Sequence, residues 1–331
     1  MRPQLKTLII LVLVFGILLT ACTNPSPTPG LDTATPTSAA TPVPTAEPER
    51  LVYVSTLPTD ADLNVPLLTQ FAAEDGLQFV QVASLGAPPL STARIVVLSE
   101  APDDLPAMLD ANPEIQFILL AGTDLTGKPN LSVVSAKAED VYFMAGYLTT
   151  LIAYDWRSAG LVTGDTPLGD EAANAFFNGG KYICGKCNPS YPPLVNLPQV
   201  TSLPKSATST EWLTAANAML SMGVNAFFLD PAAATPEVVA QISASQITLI
   251  GTTPPPAGAE ALWGATITSD NSVALKEVLA KAFIGEGGQE ITVPITLTQV
   301  NETLVSPARQ DLFNQTAELL STGKLAPLNI P

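Results

Sequence analysis

Three neighbouring segments decide the architecture: NPEIQFILLAGTD (residues 112–124), NLSVVSAKAEDVYFMAGYLTTLIA (130–153) and AGLVTGDTPLGDEAANAFFNGGKY (159–182). Within them Gln116–Ala121, Ser132–Ser135 and Ala159–Thr163 read as strands, and Ala138–Tyr154 and Asp170–Lys181 as helices. Short runs that are almost wholly apolar bury both faces of a strand. Such strands belong to parallel sheets with helices on either side.

The same alternation extends in both directions. Upstream, Leu51–Thr56, Gln78–Ala83 and Arg94–Leu98 read as strands, with helices at Leu63–Ala73 and Leu105–Ala111. Asp75-Gly76 and Asn112-Pro113 stop those helices. Downstream, strands fit Asn225–Leu229, Ile247–Ile250, Gly264–Thr268, Ile291–Leu297 and Thr303–Val305. Helices fit Thr210–Met222, Pro236–Ser243, Ser272–Ile284 and Ala308–Ser321. The class is α/β. About 280 ordered residues exceed one ordinary domain, which predicts two lobes.

The N-terminus carries an address. Arg2 and Lys6 precede the apolar run Leu8–Leu19. A bilayer span takes about 20 residues, so this run reads as the core of a signal peptide over residues 1–21. Leu19-Thr20-Ala21-Cys22 has the form of a lipoprotein-processing site, with Cys22 as the lipidated first residue. That places the chain outside the cytoplasm, anchored to the membrane in the periplasm or at the cell surface. Half of residues 23–50 are Pro or Thr, so residues 22–50 read as a lipidated end and an extended tether.

Composition excludes several functions. The net charge is −16, and −18 once Arg2 and Lys6 leave with the leader, so nucleic acid and anionic lipid are repelled. There is no histidine, which removes Ser-His-Asp and Cys-His catalysis and the usual zinc sites. No Walker loop, nucleophile elbow or diagnostic carboxylate pair is present. The sequence therefore predicts no enzyme, and it calls for no cofactor and no metal. Cys184 and Cys187 follow a helix and run into Asn188-Pro189, which favours a disulfide staple over a redox site in an oxidising compartment.

The three opening segments resemble the basic-membrane-protein family, lipoprotein substrate-binding subunits of ABC transporters, several of which bind purine nucleosides. The match is carried by Glu139–Gly146, by Phe176 and Gly179-Lys181-Tyr182, and by the order of elements across Trp212–Ile250. The resemblance implies a type I periplasmic-binding-protein-like fold: two Rossmann-like lobes with parallel sheets joined by a hinge. Mapped here, lobe one is residues 51–155 plus 252–284, and lobe two is 156–251 plus 285–331. It also implies a monomer that binds a small solute, with a nucleoside first among the candidates, and passes it to a membrane permease. Where members carry an Asp-x-Ser-Phe-Asn-like turn, this chain has Asp60-Ala61-Asp62-Leu63-Asn64. Where members carry acidic residues after the strand ending at Gly251, it has Thr252-Thr253 and three prolines. A ligand-sensing or surface lipoprotein of the same fold, without a transporter, stays open beside delivery.

Ligands of open α/β sheets sit at the carboxyl ends of the strands. That rule nominates Asp60, Asn64, Ser99, Thr123 and Asp124 in lobe one, Thr163, Asp165 and Asp230 in lobe two, and Thr252 at a crossover. Each also suits a turn or a helix cap, the role expected of Asp270. Phe176, Tyr142 and Trp263 could stack on a planar ligand or belong to the core, and Tyr142 lies on an apolar helix.

Overall fold

The computed structural model describes residues 47–330, apart from Pro58, Asp60, Ala61, residues 86–89, Asp124 and Thr126. The leader, Cys22 and the tether up to Ala46 fall outside the described residues. So do two candidate site residues, Asp60 and Asp124.

The chain begins with β1 (Arg50–Val54), α1 (Val65–Glu74), β2 (Gln78–Val82), β3 (Ala93–Leu98), α2 (Leu105–Ala111), β4 (Gln116–Leu119) and β5 (Leu131–Ser135). It continues with α3 (Ala138–Ile152), β6 (Ser158–Thr163), α4 (Glu171–Cys184), β7 (Gln199–Leu203), α5 (Ser209–Leu220) and β8 (Ala226–Leu229). It ends with α6 (Pro236–Ala244), β9 (Thr248–Gly251), β10 (Trp263–Ser269), α7 (Ser272–Phe283), β11 (Glu290–Thr292), β12 (Ile295–Thr298) and α8 (Pro307–Ser321).

Two six-stranded sheets result, in the orders β11-β5-β4-β3-β1-β2 and β12-β10-β9-β8-β6-β7. Every pairing is parallel except β10 with β12. In the first sheet α1 and α7 cover one face through Leu68, Leu275 and Leu279, while α2 covers the other through Leu105 and Leu109. In the second, α3, α4 and α8 cover one face and α5 and α6 the other. The α/β class and the doubled parallel sheets are as read from the sequence, because strands such as β3 and β4 are apolar on both sides and buried on both.

The boundary between the lobes differs from the expected one. Helix α3 packs on the second sheet, and β10 is paired inside it, between β9 and β12. The expected single strand Ile291–Leu297 is two strands: β11 extends the first sheet beside β5, and β12 extends the second beside β10. The chain crosses between them at Val293-Pro294. Two further crossings link β5 to α3 and β10 to α7, so three segments join the sheets. They lie side by side, with the Val293 N–H donating to the Ser135 carbonyl at 3.2 Å and the Asp270 N–H to the Pro294 carbonyl at 3.0 Å. One apolar run can serve two sheets without any break in its hydrophobic pattern, which is why the pattern hides the crossing. The edge strand β7 was also hidden, since QVTSL between two prolines shows neither a fully apolar run nor alternation. Residues 303–305 form a turn rather than a strand.

Helix α3 is apolar all round because it is surrounded: every residue from Phe143 to Thr150 is buried. Gly146 and Gly179 let α3 and α4 touch backbone to backbone. A Cβ on Gly146 would collide with the Phe176 carbonyl, and one on Gly179 with the Phe143 carbonyl. Helix α4 ends at Gly185 in the left-handed region (φ 66°), and the disulfide Cys184–Cys187 closes the turn that follows. Arg157, almost wholly buried, holds the loop beyond by donating to the carbonyls of Tyr191, Pro193 and Met222, paired with Asp155 at 3.4 Å. Among the described residues, no helix is long and apolar enough to cross a membrane.

Candidate functional site

The carboxyl ends of β1, β3, β4 and β5 face those of β8, β9 and β10 across a cleft of about 530 Å³. Thr56, Asn64, Ser99 and Glu100 line it from the first sheet. Tyr142, Asp230, Thr252 and Thr253 line it from the second, and Asn271 from a crossing segment. A second compartment of about 490 Å³ adjoins the first and shares Gly122, Ser135, Ala136, Ala138 and Tyr142 with it. Its other walls include Thr123, Lys137, Glu139 and Thr166.

A tyrosine and a buried carboxylate are coupled on each side. On the second sheet the Tyr142 hydroxyl donates to Asp230 Oδ2 at 2.7 Å, and the Thr163 hydroxyl donates to Oδ1 at 2.7 Å. The Ala232 N–H adds a third bond at 3.3 Å, so Asp230 also caps the short turn after β8. Burial, and then the Asp230 charge, push the Tyr142 phenol well above its ordinary pKa. On the first sheet the Tyr53 hydroxyl donates to Asp62 Oδ2 at 2.7 Å, as does the Ser55 hydroxyl at 2.7 Å. The Asn64 backbone N–H donates to Oδ1 at 3.0 Å. The Asn64 side-chain amide N–H groups point inward, to Tyr53 and Asp62, each at 3.4 Å. Burial, and then the bond to Asp62, raise the Tyr53 phenol as well.

The nominated residues divide accordingly. Asn64, Ser99, Asp230 and Thr252 meet at the cleft, and Thr123 lines the adjoining compartment. Thr163 is buried behind the wall, where it holds Asp230. Asp165 is away from the cleft; it accepts the Lys205 N–H in an exposed turn. Phe176 does not reach the cleft. It is fully buried, with its ring 5.8 Å from that of Phe228, in the close contact between α4, α3 and the sheet. Trp263 is likewise interior, its indole N–H donating to Thr266 at 2.9 Å. Asp270 accepts from the Ser272 N–H and hydroxyl just ahead of α7, whose N-cap position is held by Asn271. Tyr142 is at the cleft although its helix is apolar: with Ala138 and Val141 it belongs to the first turns of α3, which border the cleft.

Sequence reasoning missed Tyr53, Asp62, Glu100 and Asn271. Glu100 directly follows Ser99 after β3, so the strand-end rule could have included it. Tyr53 sits inside the apolar run LVYV and gives no such signal. Among the described residues, no three acidic or sulfur-bearing side chains converge as a metal site.

No protein-family model matches the chain, and no curated protein matches it. Solved structures do. An ABC transporter solute-binding protein from Conexibacter woesei is 15% identical, with a TM-score of 0.57, over 86% of this chain and 98% of that one. A solute-binding protein of an ABC transporter system from Aeropyrum pernix is 16% identical, with a TM-score of 0.53, over 85% of this chain and 83% of that one. The fold is that of the type I periplasmic-binding proteins. A transcriptional activator of the comK gene from Bacillus halodurans shares it as well, at 12% identity and a TM-score of 0.55, over 85% of this chain and 100% of that one. Likeness at these identities is a likeness of fold. The resemblance to the basic-membrane-protein family rests on the residues quoted above.

Proposed function

We propose that this protein is a lipid-anchored, extracytoplasmic solute-binding protein that delivers a small molecule to an ABC permease and performs no chemistry on it. The observation that carries the reading is the cleft itself: two parallel sheets present their carboxyl ends to one another and are joined by three adjacent crossings. That arrangement suits a clamp that closes by hinge motion around a ligand held from both sides. The names of the Conexibacter and Aeropyrum neighbours agree with it. The lipoprotein-like leader ending at Cys22 and the Pro/Thr-rich tether agree with work at a membrane surface.

A melting screen with nucleosides, sugars, amino acids, amines and small peptides tests the reading. Ligand at 100 times its dissociation constant stabilises by about 2.7 kcal/mol, a readily visible shift. A purine nucleoside, first among the ligands the resemblance implies, would meet two tyrosines at the cleft, Tyr53 and Tyr142, while Phe176 and Trp263 are interior. If no solute of any class moves the melting temperature, solute binding is rejected. Labelled palmitate on the wild type but not on Cys22→Ala tests the anchor. The Bacillus neighbour favours one alternative, a sensor of the same fold with no permease. Uptake lost on deleting a neighbouring permease separates delivery from sensing.

A further inference from the structure

We propose that the cleft selects a small organic cation carrying N–H donors; this names the solute class for the binding reading above and rests on it. The wall is a set of acceptors. The Tyr142 proton is committed to Asp230, so its oxygen meets the cleft with lone pairs. Asn64 has turned its amide N–H groups inward, which leaves its amide oxygen as an acceptor at the wall. Asn271 carries an amide oxygen buried from water and without a partner among the described residues. An unpaired buried acceptor is costly unless something donates to it.

Charge points the same way. Asp62 and Asp230 are 3% and 7% exposed, and neither has a cation beside it among the described residues; only hydroxyl and N–H groups hold them. The molecule does pair a buried charge elsewhere, Asp155 with Arg157. Glu100 adds a carboxylate at the rim, and among the described residues no Lys or Arg lines the central cleft. Among the described residues, Lys137, beside Glu139, is the one cation of the adjoining compartment. Asp230 and Glu100 line the cleft and Asp62 lies just behind Tyr53 and Asn64, so negative charge without a counter-charge creates a field that favours a cation and opposes an anion. A ligand with N–H donors and positive charge answers both the acceptors and the field.

The test is the melting temperature of the full chain with five probes: putrescine, spermidine, ribose, inosine and succinate. At 100 times the dissociation constant an amine is expected to raise it by roughly 5 °C. Raising salt to about 0.5 M is expected to weaken the amine several-fold, since screening acts on charge. Glu100→Gln, at an exposed position, is expected to leave the ligand-free melting temperature unchanged and to weaken the amine about 3-fold or more. Tyr142→Phe is expected to weaken it about 10-fold. Stabilisation by ribose, inosine or succinate but by neither amine overturns the cation inference and leaves solute binding standing. Amine binding that ignores salt and both substitutions overturns it too, by placing the amine elsewhere. No shift with any of the five overturns it as well, and the wider screen then decides whether any solute binds.

Discussion

Asp140 has an unusual setting, buried in the first turn of α3 with Glu139 beside it. Burial first, and then the Glu139 charge, lift its carboxyl to about 6, against the pull of Lys137. The folded protein therefore holds this proton more tightly than the unfolded chain does. Stability from this group is greatest below the unfolded value of 3.8, falls as pH rises, and reaches its full penalty above about 6. Asp140→Asn should then stabilise the protein by about 1–3 kcal/mol at pH 7, and urea unfolding should show the gain vanish near pH 4. An undiminished gain at pH 4 would exclude titration as the cause. None of this could be read beforehand: the string AED shows two acids near a helix start, and nothing in it tells which one is covered. Asn64, Ser99, Asp230 and Thr252 were legible because strand ends are legible. Tyr53 and Asp62 were not, because their value to the site is a contact between residues nine apart in an irregular loop.

The pair α3 and α4 shows how a motif can be right and its meaning structural. The residues that carry the family resemblance, Glu139–Gly146 with Phe176 and Gly179, include the seam where two helices cross without side chains between them. Gly146→Ala or Gly179→Ala pushes a methyl into a backbone carbonyl on the opposite helix, which rigid elements cannot relieve. Each should destabilise by about 3 kcal/mol, read as a lowered urea midpoint. A neutral outcome for both would mean that the helices stand further apart. Phe176, an aromatic that could stack on a planar ligand or belong to the core, is buried fully by this crossing. Periodicity marks a helix and its apolar residues, but α3 is apolar on every side, so it cannot say which neighbour each face meets.

The two sheets are joined by three adjacent segments, residues 135–138, 269–272 and 292–295. Bonds between Ser135 and Val293, and between Pro294 and Asp270, tie them to one another, and the clamp proposed above would hinge here. A ligand that engages Asn64 and Tyr142 together should close the cleft. Small-angle scattering should show the radius of gyration, about 19 Å for a body of this size, fall on the order of 0.5 Å on binding. An unchanged profile with bound ligand would indicate a rigid pocket. Local chemistry wrote the α/β class, most helices and strands, the polar character of the strand ends and the lipoprotein-like leader into the residue order, because each depends on neighbours a few positions apart. Which sheet received α3 and β10, how one apolar run came to feed both sheets, and which polar groups stand together across the cleft were settled by packing. Those outcomes depend on residues as far apart as Tyr142 and Asp230, and no pattern along a chain records a distance through space.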